Sequence, residues 1–128
     1  QHRLHRISRW RTFIDKGSKI AGGSDCPIEE GNPLFEFYAA ITRQDHRGFP
    51  DSGFQSQELV TPIEALKMLT TWGAHAEFQE HNKGMIKPGY KADLTILSDD
   101  ITTINPFKIL NTQVLGTVVG GHFAFSNL

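Results

Sequence analysis

With 128 residues and 38% of them hydrophobic, the chain can bury one core but falls near half of the roughly 250 residues that a complete (β/α)8 barrel needs. Thirteen Lys and Arg against fourteen Asp and Glu leave a net charge of −1, which gives no basic footprint for nucleic acid or an anionic membrane surface. No apolar run approaches the ~20 residues of a membrane span, and the start carries no signal-peptide pattern. The lone Cys26 rules out an internal disulfide and favours a reducing, cytoplasmic address. A start at Gln1-His2-Arg3 without Met is expected to be a cut end of a longer protein.

Leu4, Ile7, Trp10, Phe13 and Ile14 recur at spacings of three and four, which predicts an amphipathic helix over residues 5–16 stopped by Lys16-Gly17. Residues 18–25, small and ending on Ser24-Asp25, read as a short buried strand. Gly22 and Gly23 suit a place where backbone or ligand approaches closely. Residues 26–61 read as a long decorated loop, with a short helix opened by Pro33 and its least ordered part at residues 47–57.

Thr61-Pro62-Ile63-Glu64 has the form of a capping box and starts a helix expected to run to about Trp72. A further helical turn over residues 74–79 is expected after Gly73, with a stop at Asn82-Lys83-Gly84. Two-residue alternation then predicts a strand over residues 92–97. Residues 113–119, Gly120-Gly121 and residues 122–125 predict a hairpin. Lys87-Pro88-Gly89 and Asn105-Pro106 are turn signals.

Asp25 is the first candidate for chemistry, because a carboxylate at the C-terminal end of a strand can ligate a metal or accept a proton; a bare Ser-Asp there also serves as a helix cap or loop hydrogen-bonder. His2, His5, His46, His75, His81 and His122 lack spacing that converges on one ion and are expected to be exposed or capping. Cys26 is expected to be a small buried hydrophobe, since nothing marks an activating base for it.

Gly23-Ser24-Asp25, Asn32-Pro33-Leu34, Tyr38-Ala39-Ala40-Ile41-Thr42-Arg43, Thr61-Pro62-Ile63-Glu64-Ala65-Leu66, the run from Gly84 through Lys87-Pro88-Gly89 to Ala92-Asp93-Leu94, and Val118-Val119-Gly120-Gly121 occur in order. This series resembles the C-terminal end of the amidohydrolase superfamily, in its amidohydrolase-3 branch with the N-substituted formamide deformylases. The resemblance implies an α/β chain: the last strand and helices of a (β/α)8 TIM barrel over residues 1–82, then the C-terminal strands of a composite β-sandwich over residues 83–128.

It also implies a metal-dependent hydrolase of non-peptide C–N bonds, of amide or formamide type, using a divalent metal, zinc. Asp25 matches the family's aspartate after the eighth barrel strand, both a metal ligand and the catalytic proton acceptor. Arg43 and His46, on the loop that follows, are candidates for substrate contact; otherwise Arg43 is a helix-end cation and His46 a solvated loop residue. The family's remaining ligands would lie before Gln1, so this chain alone is expected to be inactive. The rival reading is a non-catalytic interaction or oligomerisation module. Unpaired strands would in either case favour a homo-oligomer.

Overall fold

The computed structural model describes residues 3–128, so His2 lies outside it. In chain order the elements are α1 (Trp10–Asp15), α2 (Pro33–Thr42), α3 (Pro62–Leu69), α4 (Thr71–Ala76), β1 (Leu94–Leu97), α5 (Pro106–Ile109), β2 (Val114–Val119) and β3 (His122–Ser126), with 3-10 turns at Leu4–Arg6 and Ser56–Glu58. Three helices begin on caps written in the sequence. Asn32 Oδ1 accepts the Leu34 N–H at 3.0 Å ahead of Pro33. Thr61 and Glu64 exchange side-chain and backbone bonds ahead of Pro62, as the capping box predicts. Asn105 Oδ1 accepts the Phe107 N–H at 3.0 Å, so Asn105-Pro106 opens a one-turn helix where only a turn was expected.

The core forms where α2, α3 and α5 meet. Phe37, Tyr38 and Ala40 from α2 pack with Ala65 and Met68 from α3 and Ile109 from α5, joined by Val60 and Ile101. The segment beyond residue 82 therefore shares the helices' core through Ile101 and Ile109. The short helix expected to open at Pro33 is present as α2, and the reading of residues 26–61 as a loop is corrected in that α2 is the central core helix, because its apolar face fills the gap between α3 and α5.

The strands form one antiparallel sheet in the order β1-β2-β3. Gly120 and Gly121 both take positive φ, 58° and 84°, the left-handed pair that a two-residue hairpin turn requires. The expected strand over residues 92–97 is shorter because its first two residues grip that turn instead. Asp93 Oδ1 accepts the Gly120 N–H at 2.8 Å, and the Ala92 carbonyl accepts the Gly121 N–H at 3.0 Å.

Four further expectations are corrected. The helix over residues 5–16 is split, with Ser8 left-handed at φ 50° between the 3-10 turn and α1. The Ser8 carbonyl accepts from the Arg43 guanidinium at 3.1 Å, and Glu58 caps the new helix start by accepting the Thr12 N–H at 2.9 Å and the Thr12 hydroxyl at 2.7 Å. Those bonds hold Glu58 below the ordinary carboxylate range. No strand forms over residues 18–25. The segment is extended, but a parallel strand exists only through ladder bonds to neighbours, and no described strand pairs with it. Its Gly22 N–H donates to the Met68 carbonyl at 3.0 Å. The break between α3 and α4 falls at Thr70 and not at Gly73, because the Thr70 hydroxyl donates back to the Leu66 carbonyl at 2.7 Å. Cys26 is exposed, in the turn that the Ile28 N–H closes on the Asp25 carbonyl.

Residues 47–57, expected to be least ordered, are tied down by side chains. Gln44 Nε2 donates to the carbonyls of Gly48, Pro50 and Asp51 at 2.9–3.1 Å. Gly53 has φ 77°, and a Cβ there would lie 2.2 Å from the Thr42 carbonyl oxygen. We therefore expect Gly53→Ala to cost ~2–3 kcal/mol, read as a lower denaturation midpoint at unchanged m-value. A midpoint within error of wild type would show that the loop relaxes freely around the added methyl.

No helix among the described residues is long and apolar enough to cross a membrane.

Candidate active site

A cleft of about 890 Å3 opens between the extended segment at Ile20–Ser24, Phe35 on α2, and the loop tip at Asp45, His46 and Arg47. Of the two glycines at which a close approach was expected, a Cβ at Gly22 would touch the Met68 and Leu69 side chains at 3.4 Å, whereas one at Gly23 would meet nothing within 4 Å. Asp25 follows the last residue of the extended wall, Ser24. It is exposed, left-handed at φ 55°, and its carbonyl accepts the Ile28 N–H at 2.8 Å in a turn. Among the described residues its carboxylate makes no hydrogen bond or ion pair, so it caps nothing here. Glu29, Glu30, Glu36 and Asp45 surround the cleft with Arg47 as counter-charge, giving it a negative field.

Arg43 does not line the cleft. It ends α2 in the left-handed conformation at φ 53° and is only 9% exposed. Its Nε donates to the Phe54 carbonyl, Nη1 donates to Ser8, and the guanidinium lies 4.8 Å from the Trp10 ring centroid and 5.6 Å from that of Phe54. The Phe54 N–H returns a bond to the Arg43 carbonyl at 2.8 Å. Arg43 thus closes the base of the loop and anchors it to the approach to α1. Burial pushes its guanidinium below the ordinary arginine value, against the opposing charge of Glu58.

His46 is exposed at the loop tip and lines the cleft. Two residues not singled out from sequence place it there. The Asp45 carboxylate accepts the N–H groups of Arg47 and Phe49 at 2.8 and 2.9 Å, and its carbonyl accepts the Gly48 N–H at 2.9 Å. The buried Tyr38 hydroxyl donates to that same carbonyl at 3.2 Å. The bonds from Phe49, then Arg47, hold the Asp45 carboxyl below its ordinary value. Asp45-His46-Arg47-Gly48 carries the Asp-first, Gly-fourth signature of such a turn, so the signal was present.

His5, His81 and His122 are exposed. His75 is half-buried, with Nδ1 3.3 Å from Glu80 Oε1. Among the described residues no group of three or more His, Cys, Asp or Glu could hold a metal ion. Asp25 is at most one donor, and these residues do not by themselves make a metal centre.

The amidohydrolase family model matches residues 1–125, and the chain belongs to that family, in its amidohydrolase-3 group. The protein YtcJ of Bacillus subtilis (strain 168) is 32% identical over 123 residues, 96% of this chain and 23% of that protein. The N-substituted formamide deformylase of Arthrobacter pascens is 32% identical over 111 residues, 87% of this chain and 20% of the enzyme. Protein LONG AFTER FAR-RED 3 of Arabidopsis thaliana is 32% identical over 117 residues, 88% of this chain and 19% of that protein. The chain thus spans about a quarter or less of these relatives. In fold it matches an amidohydrolase from Thermotoga maritima MSB8, with TM-score 0.69 and 21% identity, over 93% of this chain and 26% of the other.

Proposed function

We propose that this chain is the C-terminal part of a metal-dependent hydrolase of non-peptide C–N bonds, of amide or formamide type, and that Asp25 is its proton-transfer group. Residues 1–82 then correspond to the last strand and helices of a (β/α)8 barrel, and residues 83–128 to strands of a small β-sandwich. The observation that carries the reading is the position of Asp25: an exposed carboxylate with no bond among the described residues, next in the chain to the cleft-lining Ser24, in a chain of amidohydrolase sequence. An unengaged carboxylate accepts a proton from the attacking water and returns it to the departing nitrogen.

The cofactor in this reading is a divalent metal, zinc. One carboxylate does not hold Zn²⁺ alone, so Asp25 shares the ion with residues outside those described. The substrate is a small amide-type molecule, with His46 at the cleft and Arg43 holding the loop that carries it. Nucleic acid and membrane are not partners, given the net charge of −1. Residues 18–25 and the outer edge of β3 pair with further strands of a longer chain or with a second copy.

The test is hydrolysis of a panel of N-acyl and N-formyl amines by the full-length protein with Zn²⁺ supplied, comparing wild type with Asp25→Asn. Turnover by wild type and a loss of ~10²-fold or more in the variant, at unchanged metal content, is the expected result. Equal activity in the two would remove Asp25 from the chemistry. The 128-residue chain alone should turn over none of the panel.

A further inference from the structure

The His46 ring is held more firmly than a solvated loop residue needs to be. One side packs on Phe35, with ring centroids 4.3 Å apart and planes 59° apart, and Tyr38 meets it edge-on at 6.2 Å. The backbone beneath is fixed by the Asp45 carboxylate on the N–H groups of Arg47 and Phe49, by the Tyr38 hydroxyl, and by the Gln44 amide, which gathers three carbonyls of the same loop. Yet the imidazole itself makes no hydrogen bond among the described residues, and both it and Phe35 line the cleft. A ring braced from behind and free in front costs little ordering when a ligand arrives.

We infer that Phe35 and His46 form an aromatic platform that selects amides bearing a flat π-faced substituent. The inference rests on the proposed hydrolase reading for the word amide; the platform itself rests on the geometry of the cleft. Offset and edge-to-face contacts with a flat ring favour an aryl group over a saturated ring of equal size, whose faces carry axial hydrogens and no complementary quadrupole. Asp45 is a positioning residue here, acting on the ligand only through His46.

Calorimetric titration of the full-length protein with N-phenylacetamide and with N-cyclohexylacetamide tests the platform without requiring turnover. Wild type is expected to bind the phenyl compound roughly three- to tenfold more tightly. His46→Leu and, separately, Phe35→Leu should abolish that preference, bringing the two affinities within about twofold of each other. Asp45→Ala should act as His46→Leu does, and Asp45→Asn, which keeps an oxygen acceptor for the turn, should restore most of the preference. Circular dichroism on each variant separates loss of fold from loss of platform, and the exposed His46 makes His46→Leu the variant least prone to misfold. Equal affinity of wild type for the two compounds, no measurable phenyl binding up to millimolar concentration, or a preference that survives both leucine variants would overturn the inference. An intact aryl preference without hydrolysis of any panel amide would support the platform and sink the hydrolase reading; hydrolysis with no aryl preference would do the reverse.

Discussion

Replacing Phe37 with Ala should lower the free energy of unfolding by ~3–5 kcal/mol. The ring is completely buried in the middle of α2 and packs in the core cluster formed with α3, α5, Val60 and Ile101. Truncation loses the transfer free energy of the removed atoms and leaves a cavity that three converging helices can close only in part. Helix propensity works slightly the other way, because Ala is the better helix former, but by only a few tenths of a kcal/mol. Packing therefore decides the sign. Urea denaturation should show a lower midpoint at unchanged slope. A loss below 1 kcal/mol would mean that α2 is not the centre of the core.

The second large effect concerns Arg11 and Glu64, and it depends on pH. Nη1 and Nη2 of Arg11 donate to the two carboxylate oxygens of Glu64 at 2.8 and 2.5 Å, a bidentate pair whose side chains are 25% and 19% exposed. The approach of Arg11 Nε to Asp15 Oδ1, at 3.0 Å, is an ion-pair contact without hydrogen-bond geometry. Glu64 also accepts from the Thr61 N–H and hydroxyl, each at 2.8 Å, so one carboxylate both caps α3 and clamps α1 to it. The Arg11 guanidinium first, then the Thr61 bonds, hold Glu64 down from 4.5 to about 2 against the cost of its burial.

A carboxyl whose folded value lies below its unfolded value binds more protons in the unfolded state, so stability rises with pH between the two values. The contribution of Glu64 is fully present above about pH 4.5, falls as pH drops from there towards about 2, and is gone below that. With partial exposure discounted, ~2–3 kcal/mol should be lost across this window. Glu64→Gln should be less stable than wild type at pH 7 by a similar amount and should lose much of the difference by pH 2. Parallel stability curves for the two proteins from pH 7 to 2 would rule out the linkage.

Local chemistry carried much of this from the sequence. Asn32-Pro33, Thr61-Pro62-Ile63-Glu64 and Gly120-Gly121 produce their caps and turn because every atom involved lies within a few residues. The ordered motifs from Gly23 to Gly121 carried the family for the same reason: a motif is local. Asp45-His46-Arg47-Gly48 was just as local, and its turn could have been read.

Tertiary structure decided what depends on partners far along the chain. The helix expected over residues 5–16 breaks at Ser8 because Arg43 holds that carbonyl and Glu58, 46 residues beyond Thr12, caps the helix after the break. Residues 18–25 have strand composition and no strand, because a ladder needs a neighbour that the described residues do not provide. Arg43 and His46, three residues apart, part company for the same kind of reason. Hydrogen bonds to the Phe54 and Ser8 carbonyls and contact with the Trp10 and Phe54 rings hold Arg43 in a clamp against the cost of burying its charge, while Phe35 and Tyr38 brace His46 towards the cleft. Propensity acts over a few residues, whereas burial and hydrogen-bond satisfaction are set by whichever groups the folded chain brings together.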